Sequence, residues 1–158
     1  MLNTLATLTL VSLFGIQGVA LASDRANRSE AEAMVKKAIA HLKARGAQAA
    51  FSDFTAPSRM FVDRDLYIVV YGLDGKCLAH GQNAKQVGKD LLNLKDPDGK
   101  AFVRERVELA KTKERFWQEY KFTDPLTKSI LPKEMYCERV ENVAVCGGVY
   151  REKRETRP

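Results

Sequence analysis

The run Asp65-Leu-Tyr-Ile-Val-Val-Tyr-Gly-Leu-Asp-Gly-Lys-Cys-Leu-Ala-His80 restricts the possible folds more than any other stretch of the chain. It joins a β-branched and aromatic run to a second short apolar run through Asp74-Gly75, the pattern of a β-hairpin. With a two-residue turn at Asp74-Gly75, Leu73 faces Lys76, Tyr71 faces Leu78 and Val69 faces His80. Alternation then places Tyr67, Val69, Tyr71, Leu78 and His80 on one side, and Leu66, Ile68, Val70, Cys77 and Ala79 on the other. Neither side suits water, so the hairpin is expected in the middle of a sheet covered on both faces. The aliphatic side calls for a helix against it. The side with two tyrosines and a histidine carries hydroxyl and imidazole groups able to hold something polar.

At 158 residues and 45% apolar content the chain has the size of one globular domain. Its formal charge of +6 is spread along the sequence, and the densest basic cluster, residues 151–158, is interrupted by acids. That distribution describes a solvated surface, and no nucleic-acid partner is expected. Residues 5–19 are apolar, Ala20-Leu21-Ala22 has the small-x-small form of a signal-peptidase site, and a polar stretch begins at Ser23. A signal peptide over 1–22 and a periplasmic location follow, with no membrane span after cleavage. Residues 2–22 contain no Lys or Arg, which leaves an uncleaved anchor as the competing reading.

Along the chain, Ser29-x-x-Glu32 forms a capping box, and Met34, Val35, Ala38, Ile39 and Leu42 recur at helical spacing up to Gly46. His41 flanks that stripe among lysines. A shorter helix over 47–54 is broken at Thr55-Ala56-Pro57-Ser58, and a short strand over 59–62 precedes the hairpin. Residues 81–94 read as a long loop with a short turn of helix, closed by Asp96-Pro97-Asp98-Gly99 as a turn and helix N-cap. A calcium loop starting at Asp96 would need a bidentate Glu at its twelfth position, which is Val107. Phe102, Val103, Val107 and Ala110 mark a second amphipathic helix, and 115–122 a strand with Phe116, Tyr120 and Phe122 on one face. Strands over 133–140 and 143–151 surround a turn at Glu141-Asn142. This order makes an α+β domain with a largely antiparallel sheet of about five strands.

The Glu141-Asn142 turn sets Cys137 opposite Cys146 at a non-hydrogen-bonded position, so these two are expected to form a disulfide. Cys77 is left as a buried small hydrophobe on the aliphatic face. Cys77 and His80 are three apart on a strand and should point to opposite faces, which argues against half a metal site or a thiol catalyst. No nucleophile, base and orienting group assemble, and no metal or cofactor is expected. The chain is read as a non-enzyme. The alternative is a thiol, redox or hydrolytic enzyme using Cys77 or the Cys137/Cys146 pair.

Asp65-Leu-Tyr67 through Leu73-Asp-Gly75, Leu78-Ala-His80, Val87-Gly88-Lys89, Leu94-Lys-Asp-Pro-Asp-Gly99, Phe116-Trp117 to Tyr120, Pro132-Lys133, Tyr136 and Gly147-Gly-Val-Tyr150 together resemble the single Cache domain of the type-2 kind, in its free-standing exported form. The resemblance implies a PAS-like sheet with the long N-terminal helix on one face and a ligand pocket under the loop and short helix on the other. It divides the chain into a signal peptide (1–22), a linker (23–28), a single Cache domain (29–151) and a charged tail (152–158). It also implies a sensory module that binds a small organic acid or amino-acid-like metabolite, anionic or zwitterionic. The sequence departs from the usual family arrangement in that no output domain is expected after Pro158, so the module is expected to act through a membrane sensor protein. Tyr67, Tyr71 and His80 from the first hairpin, Tyr120, and Lys133 and Tyr136 from the last hairpin are the expected pocket residues, with Lys133 offering charge to a carboxylate. An interaction module with a vestigial pocket is the remaining alternative.

Overall fold

The structure, a computed structural model, describes residues 24–56 and 60–151. The expected leader over 1–22 and the tail over 152–158 lie outside the described residues. Helix α1 (Arg28–Arg45) is capped by Asn27, whose side chain accepts from the Glu30 amide at 3.1 Å while Glu30 accepts from the Asn27 amide at 2.7 Å. The capping box therefore sits two residues before the expected Ser29/Glu32 pair. Its position follows from the chain's entry, because the Ala26 amide donates to Asp65 Oδ1 at 2.7 Å and holds the preceding residue in place. Ala31, Val35, Ala38, Ile39 and Leu42 form the buried stripe. The helix stops at Gly46, whose φ of 77° favours a residue without a Cβ, and α2 (Ala47–Thr55) follows at once.

Six antiparallel strands make the sheet: β1 (Val62–Asp63), β2 (Leu66–Gly72), β3 (Cys77–His80), β4 (Arg115–Thr123), β5 (Ile130–Val140) and β6 (Val143–Tyr150). Their order is β1-β2-β6-β5-β4, with β3 paired to β2. Strand β2 is interior, as expected of the hairpin, but β3 lies on the edge.

The register matches expectation at Val69↔His80 and Val70↔Ala79, then slips so that Tyr71 faces Cys77 and not Leu78. The turn is the cause. Gly72 N donates to Lys76 O and Gly75 adopts φ 86°, which makes a three-residue loop in place of the two-residue turn. Leu78 becomes the extra residue of a bulge. Cys77 is thereby turned away from the aliphatic face onto the tyrosine face, and Leu78 packs on the helix side.

The sheet divides the core in two. On one face Ile68, Val70, Ala79 and Val145 pack under α1 and α2 with Phe54 and Phe61. His41 lies at the rim of this layer, 2.7 Å from Asp53 and 5.1 Å ring to ring from Phe61. On the other face Tyr67, Val69, Tyr71, Tyr120, Met135 and Tyr150 pack under α3 (Phe102–Thr112), which follows a loop containing a single 3-10 turn, Ala84–Gln86. Asp96 does close that loop, but α3 begins at Ala101 without a side-chain cap. The Asp96 carboxylate instead accepts from the amides of Asp98, Lys100 and Lys121, which ties the loop to β4. No described helix is long and apolar enough to cross a membrane.

Asp65 is wholly buried and joins the two ends of the domain, taking the Ala26 amide on one oxygen and the Tyr150 amide, at 3.2 Å, on the other. The Cys137–Cys146 disulfide spans the β5–β6 hairpin at a Cα separation of 4.1 Å, in the expected register. Closing so short a loop contributes roughly 2.5 to 3 kcal/mol. Replacing both cysteines by alanine should lower stability by about that amount in urea titration, leaving the far-ultraviolet spectrum unchanged.

Candidate functional site

Strand alternation on β5 turns Lys133, Met135 and Cys137 toward α3. Lys133 is 1% exposed. Its stem crosses Gly148, where a Cβ would lie 2.7 Å from Lys133 Cε, so the absence of a side chain there makes room for it. Lys133 Nζ donates to the Tyr150 hydroxyl at 3.1 Å and stands 3.9 Å from the centre of the Tyr67 ring and 4.5 Å from that of Tyr150. The Tyr150 hydroxyl spends its one hydrogen on the Thr123 carbonyl at 2.8 Å, so Tyr67, 3.2 Å away, donates to it.

A second cation stands in the same layer. Arg106, on the core face of α3, is 0% exposed, and its guanidinium carbon lies 5.0 Å from the Tyr71 ring centre and 5.1 Å from that of Tyr120. Arg106 Nε donates to Gln118 Oε1 at 3.1 Å. Nη1 and Nη2 are buried with no hydrogen-bond partner among the described residues. No carboxylate of the described residues forms an ion pair with Arg106 or Lys133.

Two buried basic groups, neither paired with a carboxylate of the described residues, set the electrostatics of the site. Burial, and then the charge of Arg106, push the Lys133 amine well below its ordinary range, against a weaker pull from Asp65 and Asp124. Burial followed by the charge of Lys133 pushes His80 down to about 4. His80 Nδ1 accepts from the amides of Gln82 and Asn83 at 3.2 and 3.0 Å, so the neutral ring carries its hydrogen on Nε2. That ring stacks on Tyr67 at 5.3 Å between centres. Burial likewise raises the hydroxyls of Tyr67, Tyr71 and Tyr120, which remain protonated donors.

The structure thus brings Tyr67, Tyr71, His80, Tyr120 and Lys133 to the α3 side of the sheet. Tyr136 is not among them. It packs on the α1 side, donates to Glu138 at 2.8 Å and meets Trp117 at 5.1 Å between rings. Lys133 and Tyr136 are three apart on a strand, so they point to opposite faces. Cys77 and His80 show the reverse outcome, since the bulge at Leu78 leaves both on the α3 side. Burial pushes the Cys77 thiol up to about 11, so it is no thiolate at neutral pH. Among the described residues no group of His, Cys, Asp and Glu could hold a metal ion.

Arg106, Gln118 and Tyr150 were not singled out as site residues from the sequence. Arg106 had a signal: it occupies a core position of the stripe formed by Phe102, Val103, Val107 and Ala110. The cluster is closed to solvent. A cleft of about 340 Å³, lined by Lys95, Pro97, Phe122, Thr123 and Ile130, abuts it through Phe122, whose ring centre is 5.9 Å from Lys133 Nζ.

The family model "Single Cache domain 2" matches residues 9–153. Among solved structures, a methyl-accepting chemotaxis protein from Vibrio parahaemolyticus RIMD 2210633 is 21% identical, with a TM-score of 0.68 over 77% of this chain and 86% of that one. A Cache chemosensory domain solved for the basis of its carboxylic acid recognition is 23% identical, with a TM-score of 0.67 over 78% and 92%. The periplasmic sensor domain of a chemotaxis protein is also 23% identical, with a TM-score of 0.62 over 78% and 90%. These likenesses show the fold. No curated protein sequence matches the chain.

Stability should follow the titration of these groups. His80 is held at about 4 in the fold against 6.5 when unfolded, so the unfolded chain takes its proton first and stability falls as pH drops through that window. Burial acts to raise the Asp124 carboxyl, but hydrogen bonds from Arg25, Thr127 and the Leu126 amide outweigh it and hold the group at about 2, so its contribution is lost below about pH 4. Melting curves between pH 7.5 and 3 should show both limbs, and His80→Gln should flatten only the upper one. Iodoacetamide at pH 8 should leave Cys77 unmodified until the protein is unfolded.

Proposed function

The chain belongs to the single Cache domain 2 family, and from that we propose that it is an extracytoplasmic sensory domain that binds a small organic acid between the sheet and α3. The observation that carries this reading is the pair of buried basic groups, Arg106 and Lys133, which pair with no carboxylate of the described residues. A buried charge without a partner is costly, and an anion from outside lowers that cost. A carboxylate supplies two acceptors in one plane, which suits Nη1 and Nη2 of Arg106, and it restores the charge of Lys133.

The aromatic walls limit the ligand to a short, compact acid. Phe102 and Tyr120 stack at 4.4 Å, with Phe122 against both. Neutral His80 and the tyrosine hydroxyls add donors of the kind that a hydroxy- or keto-acid engages. An amino acid fits less well, because the nearest carboxylates, Asp65 and Asp124, are already engaged by Arg25 and by backbone amides. The likeness to the domain solved for carboxylic acid recognition agrees with this chemistry. The cleft lined by Phe122 abuts the cluster from outside.

In this reading residues 29–151 form the sensory unit, and its ligand state is passed to a signalling partner. Lys133 faces Tyr150, whose amide is bound to Asp65 beside the entry of α1, so an anion at Lys133 lies next to both chain ends.

Lys133→Met separates binding from stability. Removing a buried amine that pairs with no carboxylate of the described residues should leave the ligand-free protein as stable or more so, while affinity for short carboxylates such as acetate, propionate, pyruvate and lactate falls at least tenfold, about 1.4 kcal/mol. Thermal shift and calorimetric titration measure the two effects. Wild-type affinity should also weaken as pH rises, because binding favours the protonated form of Lys133. A folded wild type that binds none of these acids at millimolar concentration would refute the reading.

A further inference from the structure

Gln118 stands at the centre of the contact between β4 and α3 and is 3% exposed. Its Nε2 donates to the Phe102 carbonyl at 2.9 Å, which fixes the orientation of the amide and turns Oε1 toward Arg106. Oε1 then accepts from Arg106 Nε at 3.1 Å. A guanidinium has five N–H donors in a planar fork, and Gln118 takes the one on Nε. Among the described residues Nη1 and Nη2 close no hydrogen bond of good geometry, and the acceptors beside the guanidinium are the hydroxyls of Tyr71 and Tyr120.

The chemistry of this acceptor matters as much as its position. A carboxylate at 118 could also receive Nε, but it would neutralise Arg106 and lose the hydrogen bond to the Phe102 carbonyl. An amide accepts the same hydrogen bond and leaves the positive charge uncompensated. It is also the side chain that can accept from Arg106 and donate to a helix carbonyl at once.

We propose that Gln118 is the residue that sets the charge selectivity of the site, holding Arg106 through Nε with a neutral acceptor so that Nη1 and Nη2 form a charged fork reserved for an anion. Gln118 does not touch the ligand in this arrangement; it is a positioning residue that acts through Arg106. The inference rests on the reading of the site as a carboxylate-binding one.

Charge selectivity is read with probes that share a shape and differ in charge. Acetate and propionate are compared with acetamide and propionamide, by calorimetric titration and by competition, on wild type, Gln118→Glu and Gln118→Leu. In Gln118→Glu the carboxylate affinity should fall at least tenfold and the carboxylate-to-amide affinity ratio should fall with it, because Arg106 is neutralised in place. A merely structural loss would weaken both probe classes alike and preserve the ratio, which overturns the proposal. Gln118→Leu removes the hold on Arg106 without adding charge and should cost the carboxylates at least fivefold. If Gln118→Glu does not fold, wild-type carboxylate affinity in Gln118→Leu overturns the proposal by itself. Failure of wild type to bind any probe overturns the carboxylate reading and this inference together, whereas wild-type binding with an unchanged ratio in Gln118→Glu overturns this inference alone.

Discussion

Strand β2 is buried on both faces, and this one constraint sorts the molecule. Every residue from Leu66 to Gly72 is buried, so each side chain must find its partner in one of two separate layers. The even-numbered positions meet α1 and α2 with aliphatic groups alone. The odd-numbered positions carry Tyr67 and Tyr71 into the layer beneath α3. The tyrosines of β2 thereby meet the α3 layer, and its aliphatic side chains the layer under α1 and α2.

Within the polar layer the chain places two basic side chains where water does not reach. Arg106 comes from the helix and Lys133 from the sheet, so the two groups are held by different elements across the same space. Aromatic faces, hydroxyls and one amide surround them, and these soften but do not cancel the cost of burying charge. His80 answers the same field by staying neutral. A site so arranged is under electrostatic tension when the protein stands alone.

Much of this was legible before the structure. The alternation along β2, the disulfide between Cys137 and Cys146 and the separation of an aliphatic from a tyrosine face all follow from period-two geometry over runs of unbroken strand. The same rule, applied to Lys133 and Tyr136, would have excluded Tyr136 from the site. It misplaced Cys77 because Asp74 keeps a negative φ and only Gly75 takes the left-handed conformation, which lengthens the turn by one residue, a difference that Asp-Gly does not encode by itself. Arg106 was visible as a charge inside an apolar stripe. Gln118 was not, since a lone glutamine in a strand carries no mark of what lies across from it.

The sequence by itself determined the elements, their two-sided burial, the cysteine pairing and the domain family, because each rests on local periodicity or on ordered short motifs. Tertiary structure alone decided that Arg106 and Lys133 share a layer, that Gln118 holds Nε of the guanidinium while Nη1 and Nη2 stand beside the tyrosine hydroxyls, and that Asp65 binds the amides of Ala26 and Tyr150. These are contacts between residues 12 to 85 positions apart. Their chemistry depends on which donors remain unpaired once the backbone has closed, and that is settled only when helix and sheet meet.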